Sequence, residues 1–394
     1  MQRLHYSAWL VFLIFACSTA VVNAEDQTTI SRDAAEAWLV TYAPGEVYYE
    51  RFGHNALWLK NPGHGIDHIF NFGFFDFNQP NFLSRFLRGD TLYFSAARKP
   101  EIEFAEYRAS GRSIKIQKLN LGGSQYQQLE QYLIAQVQPG KRDYRYEYFR
   151  NNCSTRVRDA LDLVLNQQLF HSLGGQAANV TLRQQINTAS SADPWLYLGM
   201  DLAMGPNLDQ PQSLWQAAFI PEVLSQAVAG IPGLVASESA YYQSDNTWAE
   251  GQPLQYLLIA GFGFAVLFIL TVRPWCKQAL SSVSRMLVFS WLSLCALGGV
   301  FLLWLWLATS HVDAAGNWNV LLLNPLYLPA IFWLRSKSKG LLWLSILVLT
   351  STVLAALGAW WNGQDMTAPL VFFGPVLLLV ATLLWCGKKT DTGS

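Results

Sequence analysis

The feature that most constrains the fold is a series of long apolar runs that begins at Leu254. Runs at about 254–272, 286–308, 318–334, 340–361 and 368–386 contain no Asp, Glu, Lys or Arg. Each has about the number of residues that a helix needs to cross a bilayer, roughly 20. The sequence therefore predicts an all-α transmembrane bundle of five helices over residues 254–387, followed by a short tail at 388–394.

The loops of this region differ in charge. Basic residues gather in alternate loops: Arg273, Lys277 and Arg285; then Arg335, Lys337 and Lys339; then Lys388 and Lys389. The loops between them contain Asp313 and Asp365 but no Lys or Arg. Because cytoplasmic loops carry the excess of basic residues, we expect residues before the first span to lie outside and the C-terminus to be cytoplasmic.

The N-terminus has the pattern of an export signal. Arg3 precedes an apolar run from Trp9 to Ala16, and Val22-Asn23-Ala24 has the small residues of a cleavage site. We therefore predict a signal peptide at 1–24, an exported domain at 25–230 and a linker rich in Gly, Ser and Gln at 231–253. A lipoprotein signal ending at Cys17 is the alternative, and Phe15 fits it poorly.

The exported domain is mildly acidic and has a single cysteine. Residues 25–253 carry 24 acidic and 18 basic residues, a net charge of about −6, which argues against nucleic acid as a partner. Of the five cysteines, Cys153 alone lies in this domain. It has no disulfide partner in an oxidising compartment, so its thiol is either buried structure or kept for chemistry.

The pattern of this domain indicates an α+β fold. Alternating or aromatic-rich segments predict strands at 37–42, 47–60, 68–73, 91–98 and 112–119, and helical periodicity predicts helices at 81–88, 101–109 and 124–137. The strands follow one another closely, so we expect an antiparallel meander that precedes the cysteine.

Cys153 lies at a predicted helix start. Val157, Leu161 and Val164 recur at helical spacing after it. Free N–H groups and the helix dipole would stabilise a thiolate there, lowering the pKa of the thiol from about 8.5 toward neutrality. Asn152 and Ser154 are the candidates for holding an oxyanion or positioning the site. The alternative is that Cys153 is a small buried hydrophobe.

His54 is the candidate base for this thiol. Gly53 precedes it inside a strand pattern, which indicates a bulge or a close approach of two backbones. His68, Asn71 and Asp67 are candidates for the third residue that orients the imidazole, and the hairpin register decides among them. A zinc site of His54, His64 and His68 is the metal alternative, but the spacing matches no compact ligand pattern.

Several motifs together resemble a known family. Ala43-Pro44-Gly45, Phe52-Gly53-His54, Phe70-Asn71-Phe72-Gly73 and Asn152-Cys153-Ser154-Thr155 resemble the Lnb-type N-terminal periplasmic domain, which is associated with bacterial lipoprotein N-acylation. A histidine followed later by a cysteine at a helix start also resembles circularly permuted papain-like thiol enzymes such as lecithin:retinol acyltransferase. The resemblance implies a permuted papain-like periplasmic domain with Cys153 as nucleophile, His54 as base and His68 as third member if the register allows.

The resemblance and the residues lead to one expected activity. The chain would move an acyl chain from a phospholipid, through a Cys153 thioester, to the α-amine of a diacylglyceryl-cysteine lipoprotein at the outer face of the bacterial inner membrane, without a cofactor or metal. Two alternatives stay open. One is a membrane-tethered Cys-His hydrolase of peptidoglycan peptides or amides, and the other is a non-catalytic envelope receptor or assembly protein.

Overall fold

A computed structural model describes residues 35–246, 251–271, 282–334 and 339–388. The predicted signal peptide at 1–24 and the predicted tail beyond Lys388 lie outside the described residues. The described chain has an N-terminal part built on one antiparallel sheet and a C-terminal helical part.

The sheet has seven strands: β1 Glu36–Tyr42, β2 His54–Asn61, β3 Ile66–Phe74, β4 Leu92–Arg98, β5 Ile114–Leu119, β6 Asp143–Arg145 and β7 Val235–Tyr242. Their order is β6-β4-β3-β2-β1-β5-β7, and all neighbours are antiparallel. Strands β1 to β4 therefore form the meander that the sequence predicts.

The described helices of the N-terminal part are α1 Phe82–Arg88, α2 Pro100–Ala109, α3 Gly123–Gln136, α4 Cys153–Val164, α5 Gln168–Leu173, α6 Leu182–Ser190, α7 Pro194–Ala203, α8 Leu214–Ala217 and α9 Pro221–Ala229. The strands alternate in side-chain direction, so the sheet has two apolar faces. One face, with Leu57 and Phe70, packs on α3 and α4. The other, with Tyr42 and Ile69, packs on Phe104 of α2.

The segment at 231–253 is more than the linker that its composition predicts. Val235–Tyr242 pairs with β5 as the edge strand β7, and Ile114 lies opposite Tyr242. Most of this strand is exposed, so its side chains are largely polar or small and give no alternating apolar signal. The composition indicates a linker because an edge strand needs little apolar surface.

The C-terminal part has four described helices long and apolar enough to cross a membrane. They belong to α10 Pro253–Thr271, α11 Ser282–Ala308, α14 Gly340–Asn362 and α15 Thr367–Lys388. The third predicted span is broken into α12 Asn319–Leu322 and α13 Tyr327–Leu334. Pro325 lacks an N–H and disfavours a helical Asn324, whose side chain instead accepts the Leu326 N–H at 2.9 Å. Within the described ranges, five continuous spanning helices are therefore not confirmed.

The two parts are held together by the loops that carry no Lys or Arg. Arg150 makes two hydrogen bonds of 2.9 Å to the Asp313 carboxylate, and the Gly205 N–H donates to the Asp313 carbonyl at 2.7 Å. In the next such loop, Gln364 donates to the Met204 carbonyl at 3.2 Å. The end of the bundle that carries these loops is thus the end that faces the sheet domain.

Candidate functional site

Cys153 is the first residue of α4, as the sequence predicts. Asn152 caps this helix: its side chain accepts the Thr155 N–H at 2.8 Å and donates to the Phe219 carbonyl at 2.9 Å. The Ser154 hydroxyl lies 2.7 Å from the Ala218 carbonyl. The side chains of Asn152 and Ser154 therefore position the helix start, and amides at that start are the groups that face the sulfur.

The pKa of the Cys153 thiol is raised, opposite to the prediction. Burial raises it, and this outweighs the backbone N–H groups of Asn55, Ser154 and Cys153 and the nearby charge of Arg112, all of which lower it. The prediction counted the helix dipole but not the loss of solvent. The thiol is therefore protonated at neutral pH, and nucleophilic attack needs a base.

Two glycines allow close approaches at this place, Gly73 between β3 and α4 and Gly53 between the start of β2 and the end of β1. Gly73 has φ +97°, and a Cβ there would lie 3.5 Å from the Cβ of Cys153, at a shift in the β3–β4 register. Gly53 has φ +77°, and a Cβ there would lie 2.8 Å from the Tyr42 carbonyl oxygen. Any other residue would be strained at either position. The positive φ of Gly53 thus lets the chain turn into β2, and the missing side chain of Gly73 leaves space for the thiol of Cys153.

His54 lies at the same place in the sheet. The β2–β3 register pairs Ala56 with Asn71, and its extension by two residues puts His54 across from Gly73. The next residue, Asn55, accepts a hydrogen bond from the Ser154 hydroxyl at 2.9 Å. The residues that follow His54 and Cys153 are therefore in direct contact.

A buried chain of hydrogen bonds orients His54. Its Nε2 lies 2.9 Å from Asn71 Oδ1, and Asn71 Nδ2 donates to Glu103 Oε2 at 2.7 Å. The Tyr42 hydroxyl donates to the other oxygen of Glu103 at 2.5 Å. Because Asn71 Nδ2 donates to Glu103 and to the Ile69 carbonyl, the amide oxygen faces the ring. The proton of neutral His54 is therefore on Nε2, and Nδ1 is the basic nitrogen.

Burial shifts the pKa values of this chain in opposite directions. It lowers the pKa of His54 to about 4, against the Asn71 hydrogen bond, which raises it. It raises the pKa of Glu103 to about 7, against the Tyr42 and Asn71 hydrogen bonds, which lower it. At neutral pH the imidazole is uncharged and able to accept a proton.

His68 and Asp67 lie away from this site. The turn at Pro62–His64 pairs Asn61 with Ile66, so His68 lies opposite Leu59, and Asp67 accepts the Trp58 indole N–H at 2.8 Å. In this geometry His68 thus lies opposite Leu59 and not at His54, its alternative Asn71 is the residue that contacts His54, and the third member of the site stays a prediction. The register of the β2–β3 hairpin decides whether His68 or Asn71 lies near His54.

The zinc alternative is not supported in the described residues. His64 is bonded to Glu130 at 2.6 Å, and His68 lies on β3 opposite Leu59. No group of three or more His, Cys, Asp or Glu side chains in the described ranges could hold a metal ion.

The sequence did not reveal Glu103 or Arg112. Glu103 shares the buried face of α2 with Phe104, and an acidic residue on an apolar helix face was the available signal. Arg112 donates to the Ala43 carbonyl at 2.7 Å and lies over the Tyr107 ring at 4.6 Å. Its Nη2 is buried without a hydrogen-bond partner in the described part of the chain. The position of Arg112 in the sequence gave no signal that it would lie near the site.

The arrangement supports nucleophilic acyl chemistry. It combines a protonated thiol, a neutral imidazole held by one nitrogen, and backbone N–H groups directed at the sulfur. An imidazole can take the thiol proton as the sulfur attacks a carbonyl, and the N–H groups can stabilise the oxyanion that forms.

Comparison with protein families gives two matches. Residues 23–187 match the Lnb N-terminal periplasmic domain, and residues 246–390 match the Lnb transmembrane domain. The two matches lie on either side of residues 188–245. No curated protein and no solved structure matches the chain.

Proposed function

Because the chain is an Lnb-type membrane protein, with a periplasmic domain followed by a transmembrane domain, we propose that it is a lipoprotein N-acyltransferase. The single observation that supports the proposal is that Gly73 borders Cys153 and, by extension of the β2–β3 register, lies across from His54, which is bonded to Asn71. The order of the two residues, histidine on a strand and cysteine at a later helix start, is also that of permuted papain-like acyl-transfer enzymes.

The first half-reaction makes a thioester. His54 Nδ1 takes the Cys153 proton while the sulfur attacks the carbonyl carbon of a phospholipid acyl ester. Amides at the start of α4 hold the oxyanion. The ester C–O bond then breaks, and the leaving alkoxide takes the proton from His54. The products are an acyl thioester on Cys153 and a lysophospholipid.

The second half-reaction transfers the acyl group. The neutral α-amine of a diacylglyceryl-cysteine lipoprotein attacks the thioester carbonyl and gives a proton to His54. The C–S bond breaks, the amide forms, and His54 returns the proton to the sulfur. The partly buried position of Cys153 helps here, because water that reached the thioester would hydrolyse it.

The proposed location follows from both parts of the chain. The acid-bearing loops at Asp313 and Asp365 belong to the end of the bundle that faces the periplasmic domain. We therefore place the basic loops and the C-terminus in the cytoplasm. Donor and acceptor both carry acyl chains in the outer leaflet of the inner membrane, next to the domain that acts on them.

The test is formation of the thioester. The purified full chain is incubated with phospholipid and examined by intact-mass spectrometry for an adduct that hydroxylamine removes. We expect the adduct in the wild type and in His68→Gln, and its loss in Cys153→Ala. In His54→Gln we expect it to form at least about a hundredfold more slowly. His68→Gln is the matched control because His68 lies away from the site.

The second readout is product in cells depleted of their own N-acyltransferase. Mass spectrometry of lipoprotein N-termini should find triacylated product with the wild type and not with Cys153→Ala. Triacylated product at wild-type levels from Cys153→Ala would falsify the mechanism. Release of cell-wall peptides without any acyl adduct would show a hydrolase instead.

A further inference from the structure

A continuous array of aromatic rings connects the thiol to the membrane end of the molecule. Its solvent-facing part consists of Tyr48, Tyr49, Phe77, Phe86 and Tyr148. Leu83 lies three residues before Phe86 on α1, so it shares that face of the helix, and we call these six side chains the aromatic surface. All six side chains are exposed, from 37% for Phe86 to 67% for Leu83. Apolar side chains so exposed on one face indicate an interaction surface.

The inner end of the array is at Cys153. The Tyr146 ring lies 3.9 Å from the Cβ position of Gly73, which is itself 3.5 Å from the Cβ of Cys153. Tyr146 contacts Tyr148 at 5.7 Å and Tyr93 at 4.0 Å between ring centroids. The rings that pack beside the thiol therefore continue directly into the exposed ones.

The array also runs from Tyr93 to α1. Tyr93 lies 5.2 Å from Phe75, and Phe75 lies 5.6 Å from Tyr49, 4.8 Å from Phe77 and 6.3 Å from Phe82. Phe82 in turn lies 6.2 Å from Phe86. The rings of this series lie within 6.3 Å of one another, centroid to centroid, at each step, so the surface is contiguous.

The outer end of the array meets the membrane domain. Tyr148 stacks on His311 at 6.4 Å, and His311 Nε2 lies 3.2 Å from the Phe86 carbonyl oxygen. The Ser310 N–H donates to the Arg88 carbonyl at 2.8 Å. Ser310 and His311 follow the last residues of α11, so α1 lies at the outer end of a membrane-spanning helix.

The chemistry of this end suits a lipid surface. Aromatic residues concentrate where a protein enters the headgroup region, because their rings are apolar and, in Tyr, carry a polar tip. Arg85 and Arg88 lie in the last turn of α1, where Arg85 donates to the Asp90 carbonyl and the Arg88 carbonyl accepts the Ser310 N–H, and cations there attract lipid phosphates. Because this surface lies next to the bilayer, a lipid reaches it more readily than a soluble protein does.

We propose that the aromatic surface holds an acyl chain of a phospholipid from the outer leaflet, with the ester at Cys153 and the chain end toward α11. The inference deepens the proposed function and rests on it for the identity of the ester. An ester group that reaches a thiol above the bilayer draws its chain out of the hydrocarbon core. The aromatic surface covers that chain and removes it from water.

The test uses a phospholipid with a diazirine at the end of its acyl chain. Cys153→Ala full chain is reconstituted in vesicles of phosphatidylethanolamine and phosphatidylglycerol that contain this probe, irradiated, digested and sequenced by mass spectrometry. We expect labels on peptides that carry Phe77, Leu83 and Tyr148, besides those of the spans. Labels confined to the membrane-spanning helices would overturn the proposal.

Matched variants test whether the aromatic surface itself, and not any exposed apolar side chain, binds the acyl chain. Leu83→Ser and Phe77→Ser should each lower labelling of the N-terminal domain at least threefold. Ile102→Ser and Phe170→Ser remove side chains of similar exposure, 55% and 47%, that lie outside the array and should leave labelling unchanged. Equal labelling in all four variants, each with an unchanged melting temperature, would also overturn the proposal.

The two proposals fail in different ways. Labelling by the diazirine lipid needs no turnover, because it is measured in Cys153→Ala. Labelled aromatic peptides in a protein whose wild type forms no thioester would support the lipid surface and defeat the transferase. A thioester that forms equally fast in wild type and Leu83→Ser, with no labelled aromatic peptide, would defeat the lipid surface alone.

Discussion

Two buried residues of the site have opposite effects on stability as pH changes. The pKa of His54 is about 4 in the fold and 6.5 as its ordinary value, so its contribution is lost as pH falls from about 6.5 to about 4. The pKa of Glu103 is about 7 against an ordinary 4.5, so its contribution is lost as pH rises from about 4.5 to about 7. Each amounts to at most about 3 kcal/mol. Between pH 4.5 and 6.5 the two nearly cancel.

Single substitutions should expose each slope. In Glu103→Gln we expect the melting temperature to rise by several degrees from about pH 4 to pH 6.5, because only the His54 term remains. In His54→Gln we expect it to fall by several degrees from about pH 4.5 to pH 7. Near-UV circular dichroism of the full chain in detergent measures both. Parallel pH profiles of the two variants would contradict the assignment.

Arg112 should make the thiol more reactive than burial alone allows. Its charge lowers the pKa of Cys153, against the larger effect of burial, and its Nη2 is buried without a partner in the described residues. In Arg112→Gln we expect alkylation of Cys153 by iodoacetamide at pH 8 to fall by up to about tenfold. Peptide mass spectrometry measures the rate.

The control for Arg112 is a substitution that retains the charge. Arg112→Lys should recover most of the alkylation rate although it loses the hydrogen bond to Ala43. Equal rates in wild type and Arg112→Gln would mean that the guanidinium does not act on the sulfur. A low rate in both variants would point to a structural role.

The sequence could single out His54 and Cys153 as candidates, but it could not choose Asn71 among three alternatives or find Glu103 and Arg112. A single cysteine in an exported domain and a glycine before a histidine are local signals. The contact with Asn71 instead depends on a hairpin register, and a change of one residue moves each side chain to the other face. Glu103 and Arg112 come from a helix and a loop that only the folded sheet brings to His54.

Among elements, the contact between the segment after α7 and the loop after α11 fixes the periplasmic domain on the bundle. The Gly205 N–H donates to the Asp313 carbonyl, and a Cβ on Gly205 would lie 2.2 Å from the Ala315 carbonyl oxygen. Backbone cannot yield as a flexible side chain does. Gly205→Val should therefore separate the two elements without unfolding either part.

Hydrogen exchange measures this separation. In Gly205→Val we expect amides of residues 310–318 to exchange at least about tenfold faster, and acyl transfer to lipoprotein to fall, because Cys153 no longer faces the bilayer in a fixed position. Gly175→Val is the control, because a Cβ on Gly175 meets nothing within 4 Å. Unchanged exchange in Gly205→Val would show that the loop adapts.

Elements were predictable where their own residues decide their structure. Strands β1 and β4 and helices α2 and α3 lie within two residues of their predicted bounds, because each buries an apolar face. Strand β7 was not predictable, since most of its side chains stay exposed and its partner lies more than a hundred residues away. The Asn324-Pro325 pair is a local signal for a break in the helix. The apolar residues on both sides nevertheless led to the prediction of one span.

For the whole molecule, the contacts of the loops determine how often the chain crosses the membrane. Asp313 and Gln364 both contact the periplasmic domain, and α14 ends just before Gln364. With 23 residues, α14 is about 35 Å long, enough to cross the bilayer. Its first residue, Gly340, therefore lies at the opposite end of the bundle from both loops.

We therefore predict that the broken segment is a membrane crossing. Residues 319–339 lead from the loop of Asp313 to the start of α14, yet α13 has 8 residues and is only about 12 Å long. Within the described residues, α12 and the turn at Asn324-Pro325 add to the length of α13. We therefore predict five crossings, four of them by the long described helices. The irregular backbone of the broken segment is covered by neighbouring helices, since Leu322 and Leu323 are buried.

Cysteine labelling in spheroplasts tests this topology. We expect Asp365→Cys, in an exposed loop beside the periplasmic domain, to react with a membrane-impermeant maleimide in intact spheroplasts. Ser336→Cys lies between Arg335 and Lys337, so the positive-inside rule places it in the cytoplasm, and it should react only after permeabilisation. Native Cys276, in the other basic loop, should behave like Ser336→Cys in the same sample. If Ser336→Cys reacts from outside, residues 319–339 do not cross, and Gln364 could not contact the periplasmic domain with α14 spanning the bilayer.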